Sequence, residues 1–155
     1  MSLYTIEIVY TIIVFLLYNE TLTCMHKSLK IVLVDDNDSF RQAVRQFLEI
    51  ELNYDIIGDF SNGFDFINSN IAYKADIVLI DIQMPELDGI TTAKKWEVKD
   101  YQTKFIAVTM FTEKAYLLPL IEAGFKGCIY KSNFYSEIKA AINAVLNDRT
   151  FFPKN

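Results

Sequence analysis

Short apolar runs alternate with segments of helical periodicity along most of the chain. Five runs have the length and β-branched content of strands, at 30–35 (KIVLVD), 54–60 (YDIIGDF), 76–81 (DIVLID), 104–110 (KFIAVTM) and 127–131 (GCIYK). Between them, apolar residues recur at helical spacing, as at 40–48 and 138–146. Because four runs are apolar almost throughout, the pattern predicts a doubly wound α/β fold, with a five-stranded parallel sheet covered by helices on both faces.

The helix boundaries can also be predicted from single residues. Asp38 and Asn62 stand where helices should begin and are expected to cap them, and Gly124 stands where a helix should end. Pro119 falls inside the predicted helix 112–124, where it lacks the amide hydrogen and its ring crowds the preceding turn. We therefore expect this helix to be kinked, short, or to start late, near Leu118.

The first 24 residues form an apolar extension that differs from the rest of the chain. Residues 3–18 contain no Lys or Arg, but Glu7 lies among them. As a helix this stretch would span roughly 24 Å, less than the hydrocarbon core of about 30 Å. Three interpretations stay open: Met25 is the natural start, the stretch is a membrane anchor, or it packs against a partner. Because two lysines follow, insertion would leave the main domain in the cytoplasm.

Composition narrows the class of protein. With 52% hydrophobic residues in 155, the chain suits one domain with a substantial core, here placed at 25–148. The net charge of −5 argues against a nucleic-acid-binding surface, so any DNA contact would come from elsewhere. Cys24 and Cys128 form no metal-binding or disulfide pattern, which fits a reducing cytosol.

Reactive side chains stand at the ends of four predicted strands. Asp35 and Asp36 close the first, Asp81 the third, Thr109 the fourth and Lys131 the fifth. The carboxyl ends of parallel strands meet at one edge of the sheet, where ligands bind. Three carboxylates gathered there would repel one another, and a divalent cation would remove the conflict. Mg²⁺ favours such oxygen ligands and is often shared between carboxylates and a phosphate.

This arrangement predicts a chemistry for Asp81. Its carboxylate could attack a phosphoryl group and form an acyl phosphate. Phosphoryl transfer depends mainly on positioning and charge stabilisation, which Mg²⁺, the Lys131 ammonium and the Thr109 hydroxyl would supply.

The same residues resemble the receiver domain of bacterial two-component response regulators, over about residues 28–148. The motifs are VDD at 34–36, DIQMPELDG at 81–89, Thr109 in AVTM and Lys131 in IYKS. The resemblance implies a flavodoxin-like sheet of strand order 2-1-3-4-5. It also implies that Asp81 accepts phosphate from a histidine kinase, and that the protein is not an enzyme beyond Mg²⁺-dependent self-phosphorylation and self-dephosphorylation.

The resemblance assigns the site residue by residue. Asp36 and Asp81 would bind Mg²⁺ directly, Asp35 through water, and Gln83 through its backbone carbonyl. Thr109 and Lys131 would contact the phosphoryl oxygens.

The segments 122–132 and 141–153 are similar to the NarL/LuxR type of receiver, whose members carry a helix-turn-helix DNA-binding domain after such a tail. Residues 149–155 would then be a linker toward an output domain, and DNA would be contacted only through that domain. A stand-alone receiver that signals through protein contacts and a pseudo-receiver interaction module remain alternatives. A homodimer is also open, and a membrane contact would require insertion of 3–18.

Several residues depart from the family pattern or bear on turnover. Cys128 stands where receivers commonly have Tyr or Phe, and we expect it to fill a core position. Ser132 replaces a common proline, which makes a cis peptide after Lys131 costly. Phe111 lies where a ring could exclude the hydrolytic water. Gln83 replaces the second acid that a haloacid-dehalogenase-like hydrolase needs, which argues against that enzyme.

Overall fold

The computed structural model describes residues 28–69, 71–97, 102–111 and 114–153. The interpretations of the N-terminal extension concern residues outside these ranges. The strands are β1 Lys30–Val34, β2 Asp55–Phe60, β3 Ile77–Ile80, β4 Lys104–Thr109 and β5 Gly127–Tyr130. The helices are α1 Asp38–Ile50, α2 Gly63–Asn68, α3 Gly89–Glu97, α4 Leu117–Glu122 and α5 Phe134–Leu146. Short 3₁₀ turns lie at Ala72–Lys74, Lys114–Tyr116 and Lys131–Asn133.

All four strand pairings are parallel, in the order β2-β1-β3-β4-β5. The predicted doubly wound sheet of order 2-1-3-4-5 is therefore confirmed. Each strand is shorter than its apolar run, and the difference falls mainly at the carboxyl end. Asp35, Asp81 and Lys131 follow the last strand residue, and Thr109 is the last residue of β4. The reactive groups therefore lie at the edge of the sheet where the backbone leaves the hydrogen-bonded ladder.

Successive side chains of the central strands point to opposite faces and enter two separate apolar layers. One layer packs Val32, Val78 and Ala107 against helices on the side of Phe66, Trp96 and Leu120. The other packs alternate residues of the same strands, such as Leu33 and Leu79, against α1 and α5. Burial on both faces explains why β1, β3 and β4 are apolar almost throughout.

The ends of the helices agree with the predictions at two positions and differ at one. Asn62 caps α2, with its side chain accepting a hydrogen bond from Asp65 N. Gly124, at φ 83°, follows α4 in the left-handed conformation that favours glycine. The prediction for α1 was wrong by one residue, because Asn37 is the cap and accepts from Phe40 N at 3.0 Å. Asp38 is instead the first helical residue.

Helix α4 is short and starts late, as Pro119 predicted. It covers six residues, with Pro119 in its first turn, where the missing amide hydrogen costs least. A 3₁₀ turn precedes it. The outer side chains Leu118 and Ile121 remain exposed.

The C-terminal tail lies beside the open edge of β5. Cys128 N donates to Phe151 O at 2.7 Å, and Phe151 N donates to Lys126 O at 2.9 Å. Phe152 packs against one apolar layer and Phe151 against the other. A parallel bridge is thereby formed between Gly127 and Phe151.

None of the helices in the described ranges has the length and apolar character needed to cross a membrane. The peptide bond between Lys131 and Ser132 is trans, as are the other peptide bonds in that part of the chain.

Candidate functional site

Asp35, Asp36 and Asp81 converge at the carboxyl edge of the sheet, as the strand ends predict. One carboxylate oxygen from each lies within 4.8 Å of the others. Asp35 and Asp81 are buried, and Asp36 is exposed. β1 and β3 are direct neighbours in the sheet, which is why residues 46 positions apart meet here.

The Lys131 ammonium joins this cluster from the turn after β5. Its Nζ lies 2.7 Å from Asp35 Oδ2 and 2.7 Å from Asp81 Oδ2. Burial lowers the pKa of Lys131, but the hydrogen bonds and charges of Asp35 and Asp81 raise that pKa by more. The ammonium therefore stays charged between the two carboxylates.

The pKa of Asp81 lies above its ordinary value. Burial is the largest cause, opposed by the hydrogen bond and charge of Lys131; Asp35 raises the pKa and the Gln83 amide lowers it. The cluster holds three carboxylates against one ammonium, so negative charge is in excess. Oxygen donors at this spacing fit a hard divalent cation, which would favour the ionised form of Asp81.

Backbone groups fix the orientation of the two buried carboxylates. Asn37 N donates to Asp35 Oδ1 at 2.9 Å, and Gln83 N donates to Asp81 Oδ1 at 3.2 Å. Arg41 Nη1 donates to the Asp35 carbonyl at 2.6 Å. Each aspartate therefore keeps one defined side-chain direction.

The loop between β3 and α3 folds back against Asp81. Gly89 N donates to Ile82 O at 2.9 Å, and a Cβ on Gly89 would lie only 2.2 Å from Asp81 O. Only glycine permits this close approach. Asp88 caps α3, accepting from Thr91 N at 2.8 Å.

A solvent-open cleft of about 460 Å³ lies above the cluster. Its lining residues are Asp36, Asn37, Asp81, Gln83, Met110, Phe111 and Lys131. Four of the predicted site residues thus face one space that could admit a phosphoryl group.

Comparison with known proteins decides the family. Residues 31–143, more than half of the chain, match the response regulator receiver domain. The chain belongs to this family. The predicted relation to NarL/LuxR-type regulators is also confirmed.

Individual relatives of this receiver differ in length. The nitrate/nitrite response regulator protein homolog of Haemophilus influenzae is 27% identical over 107 residues, which make up 69% of this chain and 51% of that protein. The chemotaxis protein CheY of Bacillus subtilis is 29% identical over 118 residues, covering 76% of this chain and 98% of CheY. The chain spans about half the length of several curated relatives that it matches.

Solved structures agree with the sheet topology. A two-component response regulator of the LuxR family from Aurantimonas sp. SI85-9A1 superposes with a TM-score of 0.75 at 26% identity, covering 81% of this receiver and 89% of that chain.

Thr109 takes a different position from the other predicted residues of the receiver. Its side chain is buried, and its Oγ1 accepts a hydrogen bond from Phe111 N at 3.1 Å. The hydroxyl is therefore engaged with its own strand end. The Phe111 ring lies beside the Tyr116 ring, with centroids 4.9 Å apart, and lines the cleft.

Cys128 fills a core position, as expected. It is 1% exposed, and burial, with a smaller contribution from the charge of Glu137, raises the pKa of its thiol to about 11. The thiol is thus neutral and inaccessible near neutral pH.

Two contacts at the site were not predicted. Arg41 holds the Asp35 carbonyl, and Phe40 places its ring 4.7 Å from Lys131 Nζ. The helical spacing marked Phe40 only as part of the apolar face of α1. The sequence signal that could have indicated these contacts is the capping interval from Asn37 to Phe40. This cap fixes the first turn of α1 beside the aspartates.

Proposed function

We propose that this receiver accepts a phosphoryl group on Asp81 from the phosphohistidine of a histidine kinase, with Mg²⁺ bound nearby. One observation carries the proposal: the Asp81 carboxylate lies in an open cleft, bound by Lys131 and close to two further carboxylates. Membership of the receiver family supports it.

An Asp81 carboxylate oxygen is the nucleophile. It forms a new bond to phosphorus as the bond between phosphorus and the histidine nitrogen breaks, and the released imidazole takes up a proton. Gln83 N holds one carboxylate oxygen, and Lys131 Nζ holds the other. The Lys131 ammonium is therefore placed to donate to the phosphoryl oxygens as their charge develops.

Asp35, Asp36 and Asp81, with the backbone carbonyl of Gln83, would hold the cation. When bound, Mg²⁺ supplies charge neutralisation for the phosphoryl oxygens. The excess of carboxylates over ammonium groups favours its binding.

Thr109 is the proposed second donor to the phosphoryl group. In its bond with Phe111 N the hydroxyl oxygen acts as an acceptor, so its hydrogen can still donate elsewhere. Rotation of this side chain toward the cleft would connect phosphate binding to the start of the α4 segment.

For the output, we favour a longer cytoplasmic transcription regulator in which a helix-turn-helix domain follows the tail at 149–155. The relation to LuxR-family regulators and the half-length coverage of several relatives support this. A stand-alone receiver is the second candidate, supported by the match to almost the full length of CheY.

The test is incubation with acetyl phosphate and Mg²⁺, followed by intact mass measurement. The native chain should gain the mass of one phosphoryl group, and Asp81→Ala should gain none. Asp55→Ala, at the opposite edge of the sheet, is the matched control and should behave as the native chain. Omitting Mg²⁺ in the presence of a chelator should prevent the gain.

A native chain that gains no mass would refute phosphate acceptance and leave an interaction module. A gain in both the native chain and Asp81→Ala would place the acceptor elsewhere.

A further inference from the structure

The ring of Phe40, in the first turn of α1, contacts the Lys131 ammonium that Asp35 and Asp81 also bind. Lys131 Nζ lies 4.7 Å from the ring centroid, within the range of a cation–π interaction. We propose that Phe40 is a positioning residue that holds the Lys131 ammonium at the site. This inference rests on the proposed function of Asp81 and Lys131.

Lys131 needs such a restraint because of its side chain. Lysine is a point charge on a flexible four-carbon stem, so its carboxylate partners alone leave several directions open to the ammonium. Lys131 also starts a 3₁₀ turn, in which no side chain caps the first residues. Its side chain is nevertheless only 9% exposed.

The Phe40 ring is itself held from two directions. Its backbone N–H donates to the capping side chain of Asn37, which fixes the start of α1. Its ring meets the fully buried Phe134 ring edge to face, with centroids 5.8 Å apart. A ring fixed by a helix cap and by the core can therefore restrain the lysine side chain that packs against it.

An aromatic face suits this place better than another acid would. It attracts the ammonium without offering a lone pair that would compete with Asp35, Asp81 or a phosphoryl oxygen. It also covers one side of the ammonium against water, which strengthens the remaining electrostatic contacts. Leucine would preserve most of the packing but not the electrostatic attraction.

Phe47 is a matched control on the same helix. Its ring packs edge to face on Tyr135, with centroids 4.9 Å apart, and belongs to the same apolar layer as Phe40. Replacing Phe47 removes a comparable aromatic contact at a position about two helical turns along α1 from Phe40.

The experiment compares Phe40→Leu, Phe40→Tyr and Phe47→Leu with the native chain. One measurement is the rate of phosphate gain at saturating acetyl phosphate and Mg²⁺. Phe40→Leu should be slower by roughly threefold to tenfold, as a partly desolvated cation–π contact predicts. Phe40→Tyr should restore most of the rate, and Phe47→Leu should match the native chain.

The second measurement does not depend on phosphate transfer. In the native chain and Phe40→Tyr, the side-chain methylene protons of Lys131 next to Nζ should resonate upfield, because they lie near an aromatic face. The shift should disappear in Phe40→Leu. If Phe40→Leu does not fold, Phe40→Met removes the ring in its place.

A native rate together with an unchanged Lys131 resonance in Phe40→Leu would overturn the proposal. So would equal slowing in Phe40→Leu and Phe47→Leu, since general packing would then explain both. If the native chain accepts no phosphate, the proposed function fails, and the Lys131 resonance alone decides the positioning role.

Discussion

The carboxyl edge around Asp81 and the neighbouring face of α4 differ in how far their side chains are fixed. At the edge, Asp35, Asp81 and Lys131 are held by hydrogen bonds from several elements. On the α4 face, Leu118 and Ile121 are 62% and 53% exposed on a six-residue helix. The chemical site is thus preorganised, whereas the adjacent surface has few contacts that define one arrangement.

The contrast has a local cause in the sequence. Gly89 lets the loop after β3 close tightly on Asp81. Pro119 cannot donate to the carbonyl of Ala115, so α4 does not extend toward its N-terminus, and Cys128 puts a small core side chain where other receivers commonly have an aromatic ring. Changes at these three positions test whether side chains are fixed more tightly around Asp81 than on the α4 face.

The largest effect is expected for Gly89→Ala, which should disrupt the packing of the loop after β3 against Asp81. The new Cβ would lie 2.2 Å from the backbone oxygen of Asp81, so the loop or the strand end must move. We expect a loss of about 3 kcal/mol in the free energy of unfolding, measured with urea, and loss of phosphate acceptance. Gly58→Ala is the control, since its Cβ would meet side chains rather than backbone, the Phe60 ring at 3.3 Å and Ile71 Cγ2 at 3.5 Å. Equal stability of the two variants would contradict the tight closure.

The second prediction concerns Cys128, in the apolar layer on which α4 packs. With a pKa of about 11 in the folded protein against an ordinary 9.0, the thiol is neutral in both states at pH values well below 9.0. Between these values only the unfolded thiol ionises, so stability should fall as pH rises, by up to about 2 kcal/mol. The measurement is urea unfolding at about pH 8.5 and about pH 10.5, with Cys24→Ser as the background.

Cys128→Ala in the same background should lack this component, because it has no thiol to ionise. An identical pH dependence in both proteins would mean that burial does not raise the pKa of the Cys128 thiol.

The smallest effect is expected for Pro119→Ala, which tests whether proline limits the length of α4. The restored N–H can donate to the carbonyl of Ala115 and extend α4 toward its N-terminus. We expect amide hydrogen exchange between residues 115 and 120 to slow about tenfold. Leu118→Ala, which removes an exposed side chain from the same helix, should leave the exchange nearly unchanged. Faster exchange in Pro119→Ala would show that proline stabilises the short helix instead.

The strands and the cluster of site residues could be predicted because both follow from simple patterns. Continuous apolar runs indicate strands buried on both faces, and parallel strands bring their carboxyl ends to one edge. Pro119 was equally informative, because its covalent structure restricts any helix. These features depend on residues close in sequence or on the sheet as a whole.

The remaining features depend on side-chain directions that a sequence pattern does not contain. Asn37 and Asp38 are both good helix caps, and the choice between them depends on how the chain leaves β1. The contact of Phe40 with Lys131 joins elements 91 positions apart, through rotamers set by the core. Likewise, a threonine hydroxyl can both donate and accept, and the residue type does not indicate that Thr109 accepts from Phe111 N.

The pairing of Phe151 with β5 affects self-association as well as packing. An uncovered strand edge offers donors and acceptors to the edge of another molecule and is a common start for aggregation. Here the tail occupies the donor of Cys128 and the acceptor of Lys126 on that edge. The same short segment that leaves the domain therefore also protects its sheet against the addition of a foreign strand at this position.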